Sequence, residues 1–246
     1  MFYHIGRYTT MLSFIFYKPE RFSAYWKRLV EEIIQLGIKS LFMVVLMSAF
    51  MGAVLVIQTA SAIESAWIPD YTVGFTVKQT LILEFCPTII SLILAGKVGS
   101  NIASELGTMR VTEQIDALEV MGVNSIGYLI GPKILGSLFI FPILIMYSMF
   151  FGFVGGWALC YLTEIISIEQ YLLGIQSFSY ENYEYIRYAL IKTVFFAFII
   201  TSVSSYFGYY TKGGALEVGK SSTKAVVYSS ILILMFNVLL TQLLLS

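Results

Sequence analysis

The chain has 246 residues, no formal net charge, 58% apolar residues and only 12% charged ones. Soluble domains are about 45–50% apolar and roughly 25% charged. The composition therefore excludes an ordinary soluble globule, and the neutral charge offers nothing to attract nucleic acid.

Taken in chain order, residues 1–37 read as a tail followed by an amphipathic helix. Met1 to Tyr17 is rich in aromatic residues and lacks an A-x-A-like cleavage site, so no secretory signal is expected. His4, the single histidine, is expected to be an exposed or interfacial tail residue. From Arg21 to Leu36, Phe22, Trp26, Leu29 and Ile33 recur at helical spacing, and Tyr25, Val30 and Leu36 widen the stripe. Arg21, Lys27, Arg28, Glu31, Glu32 and Gln35 fill the remainder, and Pro19 is placed to precede or begin the helix. Too polar to span, this segment fits a helix lying in the cytoplasmic leaflet, or one packed on the protein's own cytoplasmic side.

Residues 38–246 read as an all-α, polytopic membrane domain. A span needs about 20 mostly apolar residues, and five stretches qualify: Ile38–Ala60, Val77–Ala95, Ile130–Leu162, Ala189–Tyr210 and Ala225–Leu245. Arg7, Lys18, Arg21, Lys27, Arg28, Lys39, Lys97, Arg110, Lys133, Lys212, Lys220 and Lys224 fall on one side of this arrangement, and Lys78, Arg187 and Lys192 on the other. The excess places the N-terminus in the cytoplasm and the C-terminus outside. Cys86 and Cys160 lie in apolar runs at different expected depths, so they are read as two buried thiols and not a disulfide. Gly152 and Gly156, and Ala95 and Gly99, have the small-xxx-small spacing that lets helices approach closely. Packing within one chain uses such pairs as readily as a dimer does.

Between spans two and three lies Gly96 to Gly122, a charged, helix-competent block that must sit at or beyond the membrane surface. Within it, Glu113 to Met121 can form a short amphipathic helix, with Ile115, Leu118 and Met121 on one face and Glu113, Asp116 and Glu119 on the other. Glu84 is the outlier inside span two. An ionisable side chain in hydrocarbon faces protein or a wet cavity, and it marks a functional site by default. It can contact a polar passenger, or be absorbed by a pair with Lys78 or a polar helix contact. Pro87 is expected to kink or loosen the same helix. Gln58 and Asn237 are polar groups within spans, suited to a cavity or to interhelical hydrogen bonds.

The stretch Gly214 to Ser221 matches the phosphate-loop pattern G-x-x-x-x-G-K-[ST]. That loop works only between a strand and a helix of an α/β sheet, and here it stands between two spans. It is read as a tight turn, with Ser221, Ser222 or Thr223 capping the fifth span.

Glu84 to Val123 resembles the MlaE/YrbE family of ABC-transporter permeases. The resemblance rests on Glu84 and Pro87; on Ala95, Gly96, Lys97, Gly99 and Ser100; on Ala103, Glu105, Leu106, Gly107, Met109 and Arg110; and on Thr112, Glu113, Gln114, Leu118, Glu119, Met121 and Gly122. Later matches include Lys192-Thr193, Gly208, Gly213-Gly214-Ala215 and Val218-Gly219. Leu83 stands where some members carry Arg, Cys86 where Gly is common, Lys97 where Arg is frequent and Asn237 where many carry Asp.

The resemblance implies a homodimeric permease in a bacterial inner membrane, with a lipid cavity between the copies to which Glu84, Pro87, Gln58 and Asn237 are candidate contributors. A cytoplasmic, MlaF-like ATPase would dock on residues 97–125, using Glu105, Arg110, Glu113, Gln114, Asp116 and Glu119. An MlaD-like MCE protein would receive or deliver lipid on the periplasmic side, and an MlaB-like STAS-domain protein accompanies the ATPase in some systems. The chain itself would need no cofactor, with ATP and Mg on the partner, and would be no enzyme alone. The residues leave open a permease for another hydrophobic substrate, such as a sterol or drug, and a scaffold with no pathway.

Overall fold

A computed structural model describes residues 2–15, 22–63, 68–177 and 179–245. Among them there is no strand. Pro19 and Arg21, expected at the start of the amphipathic segment, lie outside the described residues.

The helices are α1 (Phe2–Ile15), α2 (Phe22–Ile33), α3 (Lys39–Ala62), α4 (Tyr71–Thr80), α5 (Ile90–Leu94), α6 (Ser100–Val111), α7 (Gln114–Val120), α8 (Ser125–Thr163), α9 (Ile168–Gln176), α10 (Ser179–Tyr209) and α11 (Ala215–Leu245). Wider, π-helical turns at Ile34–Ile38, Leu81–Ile89 and Ala95–Gly99 join α2 to α3, α4 to α5 and α5 to α6 without a break. Among the described residues, five continuous helices are thus long and apolar enough to cross a membrane: Tyr25–Ala62, Tyr71–Val111, Ser125–Thr163, Tyr183–Tyr209 and Ala215–Leu244.

Two expectations change. The amphipathic segment is not set off from the first span but runs straight into it. The helix-competent block after Gly96 is not separate from the second span over its first half: α6 extends that span to Val111. Buried Ile102, Ala103 and Leu106 explain this, because they give α6 an apolar face despite its charges.

The described residues divide into two compact units. One contains residues 1–40, 92–141 and 194–243; the other contains 41–91, 142–193 and 244–246. In lipid, helices gain little from hydrophobic burial and associate through close packing of small residues. In the first unit, α6 lies against α10 so closely that a Cβ at Gly208 would meet the Ala103 carbonyl at 2.8 Å, and one at Gly99 would meet Ser204 Oγ at 2.8 Å. α1 is docked on α10: Tyr8 donates to Ser202 Oγ (2.7 Å), His4 and the Tyr206 hydroxyl are hydrogen-bonded (2.8 Å), and Arg7 lies over the Tyr210 ring. His4 is exposed, as expected, and sits in a helix docked on α10.

In the second unit, α3 and α8 cross where a Cβ on Gly52 would fall on the backbone of Gly152, and one on Gly155 on the backbone of Ala49. α4 and α9 meet at Gly74 and Gly174. The sequence reading did not anticipate α9. Ser167 caps it by accepting from the Gln170 amide, and Tyr171 anchors it, fully buried, donating to the Phe153 carbonyl. Burial pushes the Tyr171 hydroxyl pKa up, which keeps it a donor. The small-residue pairs are thus spent on packing within the chain. Both cysteines are buried and free.

Candidate functional site

Glu84 sits in the π-helical turn Leu81–Ile89, together with Pro87. Proline has no N–H to give to the turn before it, and the Leu83 carbonyl lies in that turn. Lys192 Nζ from α10 reaches this carbonyl at 3.4 Å and donates to Glu84 Oε1 at 2.8 Å. Thr88, one turn on, donates to Glu84 Oε2 at 3.1 Å. The Lys192 ammonium also lies 4.6 Å from the centre of the Tyr188 ring. Its side chain is 0% exposed, whereas that of Glu84 is 42% exposed. The arrangement is a charge pair with a hidden cation and an open carboxylate. It offers a hydrogen-bond acceptor, at zero net charge, to whatever lies alongside.

Lys78, considered as a partner for Glu84, donates instead to the Ser177 carbonyl at 2.5 Å. Gln58 is exposed on α3, in the same unit as Glu84. Asn237 is half-buried on α11 and belongs to the other unit.

At its far end the long helix Tyr71–Val111 stops at Thr112 and turns through Glu113, whose φ of 58° is left-handed. Such a conformation costs a residue with a Cβ roughly 1–2 kcal/mol. α7 follows and is closed by Gly122 (φ 79°), with Gly122 N–H on the Glu119 carbonyl and Val123 N–H on the Leu118 carbonyl. This is a Schellman stop, for which a residue without a Cβ is favoured. Asn124 then caps α8, its Oδ1 accepting from the Gly127 amide.

The expected face of α7 is only partly present. Ile115 is fully buried, but Met121 is 69% exposed and Val120 is 89% exposed. Glu113 and Gln114 are exposed. The other candidate residues of this region make contacts within the chain. Arg110 pairs with Asp116 at 2.6 Å, Glu119 Oε1 accepts from Tyr209 (2.9 Å) and Ser125 (3.0 Å), and Glu105 pairs with Lys133 at 2.8 Å. Lys133 is 0% exposed and holds a second carboxylate, Glu32, at 2.6 Å. The Arg110–Asp116 and Glu119 contacts fix where α7 sits on the first unit, and Glu113, Gln114, Ala117, Glu119, Val120 and Met121 remain exposed.

The phosphate-loop pattern has no loop. α11 begins at Ala215, so Gly219 and Lys220 lie inside a helix, and Ser221, Ser222 and Thr223 come too late to cap it. Ser222 donates to the Ser100 carbonyl instead (3.2 Å).

Sequence reasoning missed Lys192, Lys133, Glu32 and Tyr209 as partners. The signal for the first two was available: both lysines fall inside stretches already read as spans, where a charge requires a countercharge.

Comparison with known proteins agrees with this architecture. The family profile described as Permease MlaE matches residues 29–243. A probable ABC transporter permease protein of Rickettsia bellii is 36% identical over 219 residues, covering 89% of this chain and 83% of that protein. A probable ABC transporter permease protein of Synechocystis is 33% identical, with 87% and 80% covered. The Arabidopsis thaliana protein named TRIGALACTOSYLDIACYLGLYCEROL 1, chloroplastic, is 31% identical over 83% of this chain and 58% of its own length. The chain belongs to the MlaE family of ABC-transporter permeases.

Proposed function

We propose that the chain is the lipid-handling permease of an ABC system, working as a pair of identical copies with a separate ATPase on the cytoplasmic side and an MCE protein on the periplasmic side. The observation that carries this reading is the helix Tyr71–Val111. It bears the open carboxylate of Glu84 within its apolar length and ends in the exposed, internally braced α7. A carboxylate acceptor suits a head group with ammonium or hydroxyl donors, and the apolar spans suit acyl chains. The lipid-derived name of the Arabidopsis relative supports the substrate class.

The charge distribution supports the orientation. Lys78, Lys133 and Lys192 are buried and are not loop charges. Without them Arg187 alone opposes the remaining basic residues, and the asymmetry grows. A second copy is supported by α11, whose most apolar stretch is only 17% buried within the chain, against 61% for that of α10. The MCE partner and an accompanying STAS-domain protein rest on the family alone.

The test is co-purification. Glu113→Lys with Gln114→Lys replaces exposed groups only, whereas a change at Glu119 also breaks the Tyr209 and Ser125 bonds. The reading expects the double variant to insert normally, retain a second copy and lose the ATPase. Normal recovery of the ATPase would overturn the docking role of α7.

A further inference from the structure

A second polar site lies in the first unit, away from Glu84 in sequence. A half-open cleft of about 440 Å³ is lined by Gln35, Lys39, Ser40, Lys97, Asn101 and Ser104, among others. Among the described residues, no carboxylate lines it. Neither Lys39 nor Lys97 forms an ion pair among the described residues. One of the three N–H groups of Lys97 is held by the Lys39 carbonyl. That bond fixes the Lys97 ammonium beside the cleft and leaves donors over. Ser100 and Ser222, also in the lining, already donate their hydroxyl protons to the carbonyls of Lys97 and Ser100. The Gln35 and Asn101 amides and the Ser40 and Ser104 hydroxyls make no hydrogen bond of their own among the described residues.

We infer that this cleft binds a phosphate group, with Lys39 and Lys97 supplying the charge and Gln35, Asn101 and Ser104 supplying neutral donors. Two cations with convergent donors and no competing acceptor carboxylate fit a tetrahedral oxyanion, and charge-assisted bonds are the strong ones. Basic clefts between membrane helices on the cytoplasmic side suit phospholipid head groups. The placement on that side rests on the orientation proposed above; the phosphate chemistry does not. A head-group phosphate and a soluble phosphate present the same oxygens to the cleft. The site differs from Glu84 in sign: Glu84 presents an acceptor, and this cleft presents donors.

The experiment uses the full chain, purified in detergent and in nanodiscs. One arm measures retention of phosphatidylglycerol against phosphatidylcholine by native mass spectrometry. The other titrates inorganic phosphate and follows the thermal unfolding midpoint. The site predicts preferential retention of the anionic lipid, a rise in midpoint with phosphate, or both. Lipid preference alone assigns the head group; a phosphate response alone assigns a soluble ligand. Lys39→Gln removes a side chain with no recorded bond, and it should weaken the response about tenfold. Lys97→Arg should keep it, whereas Lys97→Gln should lose it. Neither response in the wild type, or an undiminished response in Lys39→Gln with Lys97→Gln, overturns the site. The readout is binding. A complex that moves lipid while the chain fails this test removes only the cleft, and a chain that passes it in a complex that moves no lipid removes only the proposed function.

Discussion

Two buried lysines anchor two carboxylate clusters in this chain, and they are built differently. Lys133 is sealed in with Glu32, whose side chain is 6% exposed, and also reaches Glu105, which is 31% exposed. Lys192 is equally hidden, yet its partner Glu84 is 42% exposed. Taking an ion out of water costs several kcal/mol unless it is closely paired. In the Lys133–Glu32 pair both sides are taken out, so the arrangement serves packing: it ties α2, α6 and α8 together. At Glu84 only the cation is taken out. A carboxylate left facing outward from a membrane helix has kept the capacity to meet something polar.

If that distinction holds, removing the two lysines has unequal consequences. Lys133→Met leaves Glu32 buried without a countercharge and should cost about 3–5 kcal/mol. It would appear as loss of monodisperse protein and a large fall in unfolding midpoint, with most of the loss recovered by adding Glu32→Gln and Glu105→Gln. Lys192→Met leaves Glu84 within reach of water and should cost less, about 1–3 kcal/mol. Equal losses for the two would erase the distinction. Glu105→Gln probes the partly exposed arm of the closed cluster and should cost about 1 kcal/mol by the same unfolding measurement. A loss as large as that of Lys133→Met would mean that exposure does not set the cost. The smallest effect belongs to the junction before α7. Glu113→Gly relieves a left-handed residue and should raise stability by up to about 1 kcal/mol, while weakening recovery of the ATPase. A fall in midpoint would remove the strain argument.

Much of the fold was legible because hydrocarbon imposes a simple rule: long apolar stretches become helices. All five spans were found, but most starts and the end of the second span moved, three of them for reasons that hydropathy cannot register. Charges in α6 hid the apolar side that holds it to α10. The polar face of α2 hid its continuity with α3. Polar residues early in α10 hid a helix that already begins at Ser179. The candidate residues were legible one at a time, not as pairs. Glu84 stood out as an anomaly, but its partner lies 108 positions away, a separation that no helical period reports. Glu119 was placed on the outward face of α7 by its spacing. It is exposed there, but spacing could not report that its Oε1 also accepts from Tyr209 and Ser125.

The most direct measurement is lipid movement by the assembled system. The chain is reconstituted in vesicles with the ATPase and the periplasmic MCE protein proposed above, and ATP-dependent transfer of a labelled phospholipid is followed. The account predicts that Glu84→Ala, with Lys192→Met added so that no buried cation is left unpaired, slows transfer at least about tenfold while the complex stays intact. That factor is the one expected when a charge-assisted contact to the passenger is removed. Transfer at the wild-type rate in the double variant would contradict it.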